Sequence, residues 1–433
     1  MTRPPGEPIL IEPVTASPNA TVVVPGSKSI TNRALVTAAL AEGTSALSGA
    51  LMADDTEAMT GALRRLGATI EEARSGTELR VRGVAGRLTP GPLAVDARES
   101  GTTARFLAAV LATGVEGPYR LDAAPQMRAR PMGPLLDALR TAGAVLYEGD
   151  EGDLPLDVVE GGTGGRVDLG GDVSSQFLSA LLLAGPLFAQ GIRIDLTSPL
   201  ISRPYVEMTA SVMASFGITV LDEGDRFSVE PGSYRASEAY AIEPDASSAS
   251  YFFAAAVITG GRVTVPGLRR TGLQGDVAFV DVLERMGAGV TESARGLTVS
   301  AGRELRGVEA DFSDISDTAM TLAAVAPFAS TPTRITGIGF IRRKESDRVA
   351  GMVNELRRCG VEATEEADGL VISPAVEVRP ATVDVYADHR MAMSFALLGL
   401  RALGIRISDP GCVGKTFPTY FELLDGLRRA PGR

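Results

Sequence analysis

The hydrophobic pattern of this chain repeats. Five stretches carry an amphipathic helical run, then a glycine, then a short β-branched run: Ala62-Leu-Arg-Arg-Leu-Gly67-Ala-Thr-Ile, Asp137-Ala-Leu-Arg-Thr-Ala-Gly143-Ala-Val-Leu, Ser211-Val-Met-Ala-Ser-Phe-Gly217-Ile-Thr-Val, Asp281-Val-Leu-Glu-Arg-Met-Gly287-Ala-Gly-Val and Asn354-Glu-Leu-Arg-Arg-Cys-Gly360-Val-Glu-Ala. Each glycine stands where a helix needs a left-handed C-terminal residue. The glycines recur every 70–76 residues, so six such units fill the 433-residue chain. Phe417 to Arg429 predicts a sixth helix with no strand after it, and Ile9-Leu-Ile-Glu-Pro-Val14 a strand with no helix before it. The two ends are therefore expected to complete one unit together. The chain passes into one domain near Val24 and back near Ile242-Glu-Pro-Asp245, giving three units per domain: residues 25–241 in one, 1–24 with 242–433 in the other. Short strands at Thr77–Gly83, Arg193–Leu196, Arg262–Val265 and Leu297–Ser300 predict an α+β fold rather than a doubly wound sheet.

Composition narrows the function. With 45% apolar residues the chain can bury more than one core, as its length requires. A net charge of −11, without long acidic runs, argues against a nucleic-acid surface. The start, Met1 to Pro8, lacks the apolar core of a secretion signal, and the apolar stretch Phe177–Ala189 holds a proline and is short for a bilayer. Two cysteines, Cys359 and Cys412, offer neither a disulfide framework nor metal spacing. A cytoplasmic protein without metal, cofactor, nucleic acid or membrane partner is expected. The single histidine, His389, excludes a multi-histidine metal site, and no Gly-x-Ser-x-Gly elbow accompanies it. Chemistry must lean on Lys, Arg, Asp and Glu.

Pro25-Gly-Ser-Lys-Ser-Ile-Thr-Asn-Arg33 places a lysine, hydroxyls and an arginine around a helix start. Ser27 or Ser29 can cap that helix, and its free first-turn N–H groups attract an anion. Lys28 and Arg33 add positive charge, so the segment reads as a phosphate or carboxylate cradle or, more plainly, as a helix start with two solvated cations. Gly411-Cys-Val-Gly-Lys415-Thr is too short between its glycines for a nucleotide-binding loop.

Further motifs follow in order: Ser100-Gly-Thr-Thr-Ala-Arg105, Arg128-Ala-Arg-Pro-Met-Gly133, Ser174-Ser-Gln-Phe177, Ser202-Arg-Pro-Tyr205, Asp245-Ala-Ser-Ser-Ala-Ser250, Ser316-Asp-Thr-Ala-Met320, Arg343-Lys-Glu-Ser-Asp-Arg348, Asp388-His-Arg-Met-Ala-Met393 and Lys415-Thr-Phe-Pro418. Together with the first cradle, and over nearly the whole chain, they resemble the 5-enolpyruvylshikimate-3-phosphate synthase family of enolpyruvyl transferases. The resemblance implies two domains, each of three βαβαββ-type units forming an inverse α/β barrel, that close on substrate. It implies transfer of the enolpyruvyl group of phosphoenolpyruvate to the 5-hydroxyl of shikimate 3-phosphate, on the way to chorismate and the aromatic amino acids, by a monomer.

Residue by residue, the resemblance implies that Lys28, Ser29, Arg33, Ser174, Ser175, Gln176, Ser202, Tyr205, Asp317 and Lys344 bind shikimate 3-phosphate. Lys28, Gly101, Arg130, Gln176, Arg348, Arg390 and Lys415 would bind phosphoenolpyruvate. Asp317 would accept the hydroxyl proton and Glu345 donate one to carbon, with Lys28 beside them; the two carboxyls must exchange roles during elimination. His389, the single histidine, either serves as a base or, more plainly, positions Glu345 or Arg390; Asp347 would hold an arginine, and Asp54 and Asp55 would only start a helix. Arg342, Arg343, Arg269 and Arg270 are expected as solvated surface.

Two positions depart from the pattern. Many members carry Asn-x-Gly-Thr where this chain has Glu99-Ser-Gly-Thr102. A carboxylate about 4 Å from an anion costs on the order of 4 kcal/mol at an effective dielectric near 20, so Glu99 must turn away, pair with an arginine or be protonated. Phe340 stands where some members place an asparagine. These departures keep open another acceptor, such as a shikimate-like alcohol. The related transferase acting on UDP-N-acetylglucosamine usually carries a reactive cysteine before an Arg-Pro pair; Ala123 to Pro131 has none. A non-catalytic binding relative is the third alternative.

Overall fold

The computed structural model describes residues 7–73, 76–114, 116–149 and 153–429. Residues 1–6, which supplied most of the reading of the N-terminal start, lie outside the described residues. The chain divides into two compact units: Gly26 to Glu243, and the segment up to Pro25 together with everything from Pro244.

The Gly26–Glu243 unit is built from three four-stranded sheets of one plan. In the middle one, Leu93–Asp96 runs parallel to Tyr119–Asp122, which is antiparallel to Leu156–Glu160, which is antiparallel to Val145–Glu148. The parallel step is bridged by the buried helix Gly101–Leu111, and the amphipathic helix Gly133–Thr141 leads into the closing hairpin. That is one βαβαββ module. In another, Tyr240–Ala241 returns from the end of the unit to lie parallel to Thr44–Ser48.

The second unit has the same plan with a shorter last module. Its third sheet has three strands, and one of them is Ile9–Leu10, with Ile9 opposite Ile407 and Leu10 opposite Arg406. The N-terminal strand thus completes the last module, as the unmatched chain ends implied. The last helix is Tyr420–Arg429, entered after a 3₁₀ segment at Pro410–Lys415, so it begins three residues later than the apolar pattern suggested.

Two kinds of helix do different work. The outer helices, such as Arg348–Arg358 and Asp54–Arg65, bury one stripe and end at the repeated glycines. Gly67, Gly143, Gly217, Gly287 and Gly360 all have φ between +78° and +109°, the left-handed region that a Cβ disfavours. The inner helices are buried on every side. Gly101–Leu111, Ala246–Thr259 and His389–Gly399 have no residue outside the buried class. Small side chains let neighbours approach closely; a Cβ on Gly399 would lie 2.4 Å from Cβ of Ile11. Among the described residues no helix is long and apolar enough to cross a membrane.

Gly399→Ala is expected to lose about 1–2 kcal/mol of stability, because overpacking against Ile11 outweighs the helix propensity gained. Denaturant melts would check it; an unchanged midpoint would mean that the N-terminal strand yields freely.

Candidate active site

In the Gly26–Glu243 unit the inner helices begin at serines. Ser27 accepts from Ile30 N at 3.4 Å, Ser100 from Thr103 N at 3.2 Å and Ser174 from Gln176 N at 3.3 Å. These caps are neutral, so each helix end keeps its positive field for another anion. Lys28 Nζ lies 3.1 Å from Asp55 Oδ2, and Thr103 donates to the Asp55 carbonyl at 3.4 Å. Asp55 is therefore more than a helix start: it ties the Lys28 helix to the Gly101 helix.

Gly101 is bare because two guanidiniums lie against it. A Cβ there would meet Arg130 Nη1 at 2.7 Å and Arg105 Nη1 at 2.9 Å. Arg105 Nη1 donates to Gln176 Oε1 at 2.7 Å and Nη2 to the Pro131 carbonyl at 3.1 Å, with the guanidinium 5.3 Å from the Phe177 ring centre. Lys28, Gly101, Arg130 and Gln176 thus belong to one connected network. The sequence pattern assigns Arg105 no role; its spacing of four from Gly101 is the signal that places it beside that glycine.

Arg33 is 2% exposed and donates to Thr209 Oγ1 (2.7 Å), the Ser29 carbonyl (3.0 Å), Ser179 Oγ (3.3 Å) and the Tyr205 carbonyl (3.1 Å). Burial pushes its pKa down to about 10, so it stays charged at neutral pH. Its fork holds the Lys28 helix against the Ser175–Ala184 and Arg203–Ser215 helices, setting where Ser29 and Tyr205 stand. Ser175 is buried in the first turn after Ser174. Ser202 has φ +52° just before Pro204, and its carbonyl accepts from Tyr205 N at 3.1 Å. Glu99 is exposed.

The other unit centres on Asp317, in the 3₁₀ turn Ser316–Thr318 before the buried helix Ala319–Val325. Its Oδ2 accepts from Arg390 Nη2 at 2.7 Å; its Oδ1 accepts from Lys344 Nζ at 2.8 Å and Arg348 Nη1 at 3.3 Å. Arg348, 1% exposed, also meets Glu345 Oε2 at 2.8 Å and Asp388 Oδ2 at 2.8 Å. Asp388 caps the His389 helix by accepting Arg390 N at 2.9 Å. Lys415 is buried at the end of its 3₁₀ segment, which packs on the same helix. His389 is buried, with Nδ1 3.7 Å from Asp388 Oδ1. Phe340 places its ring 5.5 Å from Lys344 Nζ, a cation–π contact. Asp347 caps the Arg348 helix and pairs with Arg342 at 3.2 Å. Arg342 also meets Glu365 at 2.7 Å, a surface ion pair.

Burial opposes ionisation of Asp317, but Arg390, then Lys344 and Arg348, hold it well below the usual carboxylate range. Burial pushes the Lys344 ammonium down, against support from Asp317. The cluster so offers an ionised acceptor, a second carboxyl in Glu345, a weakened ammonium and two arginines suited to an anion. A third carboxylate was missed. Asp276 is buried, accepts from Ser247 Oγ, and is pushed up to about 6 by burial and then by the Asp317 charge.

Known proteins resemble this chain over most of its length. The family model for EPSP synthase (3-phosphoshikimate 1-carboxyvinyltransferase) matches residues 15–424. A Nostoc punctiforme protein named 3-phosphoshikimate 1-carboxyvinyltransferase is 45% identical, over 93% of this chain and 95% of its own. One of that name from Sulfurovum is 46% identical, over 94% and 96%. A solved EPSP synthase structure from Acinetobacter baumannii superposes with a TM-score of 0.81 at 28% identity, covering 97% of each chain.

Asp276 holds its proton more tightly folded than unfolded, so its contribution to stability is complete below about pH 4 and lost as pH rises through about 6. Asp276→Asn should therefore gain on the wild type by on the order of 2–3 kcal/mol between about pH 4 and pH 7. Denaturant melts across that range would check it; a pH-independent difference would mean an ordinary carboxylate.

Proposed function

This chain belongs to the EPSP synthase (3-phosphoshikimate 1-carboxyvinyltransferase) family, and from that premise we propose how its residues divide the work. The reaction joins the 5-hydroxyl oxygen of shikimate 3-phosphate to C2 of phosphoenolpyruvate while the methylene carbon gains a proton. The tetrahedral adduct then expels phosphate and gives up a methyl proton, leaving 5-enolpyruvylshikimate 3-phosphate.

In our assignment Lys28, Ser29, Arg33, Ser174, Ser175, Gln176, Ser202 and Tyr205 hold shikimate 3-phosphate, with Arg33 also setting Ser29 and Tyr205 and with Asp317 and Lys344 at the reacting hydroxyl. Phosphoenolpyruvate takes Lys28, Gly101, Arg130, Gln176, Arg348, Arg390 and Lys415. Asp317 accepts the hydroxyl proton, Glu345 donates to carbon, and Lys28 stabilises negative charge as it develops. The observation that carries this assignment is the environment of Asp317: one oxygen on Arg390, the other on Lys344 and Arg348. A carboxylate so held is oriented, ionised and adjacent to cations that an anionic substrate can share. The monomeric state and a cytoplasmic location remain part of the proposal; the free thiols of Cys359 and Cys412 suit a reducing compartment.

Phosphate release from phosphoenolpyruvate should require shikimate 3-phosphate; release supported only by another alcohol would change the acceptor. Asp317→Asn should lower kcat by about 10²–10⁴ with small changes in either KM, since it removes an interaction made mainly in the transition state. An unchanged kcat would remove Asp317 from proton transfer.

A further inference from the structure

The backbone enters the His389 helix through two residues in a conformation that side chains disfavour. Tyr386 has φ +54° and Ala387 φ +53°, consecutive left-handed residues of which neither is glycine. Such a segment persists only where its surroundings over-determine it.

The surroundings here are one helix, Arg348–Arg358, gripping the segment at two points. At its first residue, Arg348 donates from Nε to Asp388 Oδ2 at 2.8 Å and from Nη2 to Asp388 Oδ1 at 3.2 Å. Two turns later Glu355, 0% exposed, accepts Tyr386 Oη on Oε1 at 2.8 Å and Asp384 N on Oε2 at 2.9 Å. Arg358 Nε supports the same Oε2 at 2.9 Å. Between the grips lies Gly351, where a Cβ would sit 3.4 Å from Cε2 of Tyr386, so the ring runs against bare helix. Residues 348, 351 and 355 share one helix face. Asp384 Oδ1 also accepts Tyr386 N at 3.1 Å, tightening the bend.

What this segment delivers is Asp388 and Arg390, and through them the Arg348–Asp317–Arg390 cluster. We propose that Glu355 and Tyr386 form a latch that holds the Asp384–Asp388 bend in its strained conformation and thereby positions Arg390 and Arg348 for phosphoenolpyruvate, an inference that rests on the function proposed above. Both are positioning residues, remote from the reacting atoms. Burial, then the bond to Glu355, pushes the Tyr386 hydroxyl up to about 12, so it donates throughout the neutral range. A buried carboxylate that accepts from both a backbone N–H and a phenol is a rigid support for a binding shell.

The test compares the full-length wild type, Tyr386→Phe and the double variant Tyr386→Phe/Ala387→Gly by phosphate-release kinetics, with each substrate varied at saturating levels of the other and thermal melts alongside. Phenylalanine keeps the ring on Gly351 and removes only the hydroxyl. Tyr386→Phe should lower kcat/KM for phosphoenolpyruvate by about tenfold and leave KM for shikimate 3-phosphate within about twofold. Glycine at 387 relieves the strain that the latch opposes, and should recover at least half of the loss on a logarithmic scale. Unchanged kinetics in Tyr386→Phe, equal losses for both substrates, or no recovery in the double variant would each overturn the latch. A wild type that releases no phosphate with shikimate 3-phosphate would overturn instead the function on which the latch rests.

Discussion

Among the described residues, six helices buried on nearly every side impose the constraint from which the rest of this protein follows. A helix sunk in a core can satisfy its middle by its own hydrogen bonds, but its first-turn N–H groups need partners from elsewhere. Five of these helices meet this need with capping side chains at their starts, and the same starts carry motifs; the sixth, Ala319–Val325, is entered instead through the 3₁₀ turn Ser316–Thr318. The Lys28, Gly101 and Ser175 helices begin at Ser27, Ser100 and Ser174; the Ala246 and His389 helices begin at Asp245 and Asp388. Places where the fold must supply polar groups are places where it can also hold a charged substrate.

The two units meet that need with opposite chemistry. Serine caps leave the helix fields uncompensated, and Lys28, Arg105 and Arg130 add to them, so that patch favours anions. Aspartate caps neutralise their helix ends; Arg348 in turn pairs with the Asp388 cap, and Arg390 pairs with Asp317. The second arrangement is a stiff lattice of alternating charge, in which Asp317 has its oxygens fixed. It explains how a chain of net charge −11 keeps cations where they are needed: carboxylates on the same scaffold hold them. Buried charge is expensive to desolvate, and Asp276, buried near Asp317, carries that cost as a raised proton affinity.

Much of this was legible in the sequence. The glycine-terminated amphipathic runs are a local signal, because a half-buried helix must alternate faces and a left-handed cap wants glycine; they gave the module count, the α+β class and the pairing of the chain ends. The inner helices were less visible as helices. Apolar all round, Ala246–Thr259 shows no helical periodicity to read, and only the capping residues before it mark its start. Motif resemblance pointed to Lys28, Asp317, Glu345, Arg348 and Arg390, since those residue types recur in fixed order.

Sequence alone determined the modules and the kinds of charge available, because propensity, periodicity and capping act over a few residues. Tertiary structure alone decided what each charge does. Arg33 turned inward to tie three helices, Asp55 became the partner of Lys28, Glu355 reached the Tyr386 bend, and Asp276 came under the field of Asp317. Those pairings join residues from 27 to 176 positions apart. No local pattern encodes them, because a carboxylate or guanidinium looks the same along the chain whether folding leaves it in water or brings it against an opposite charge.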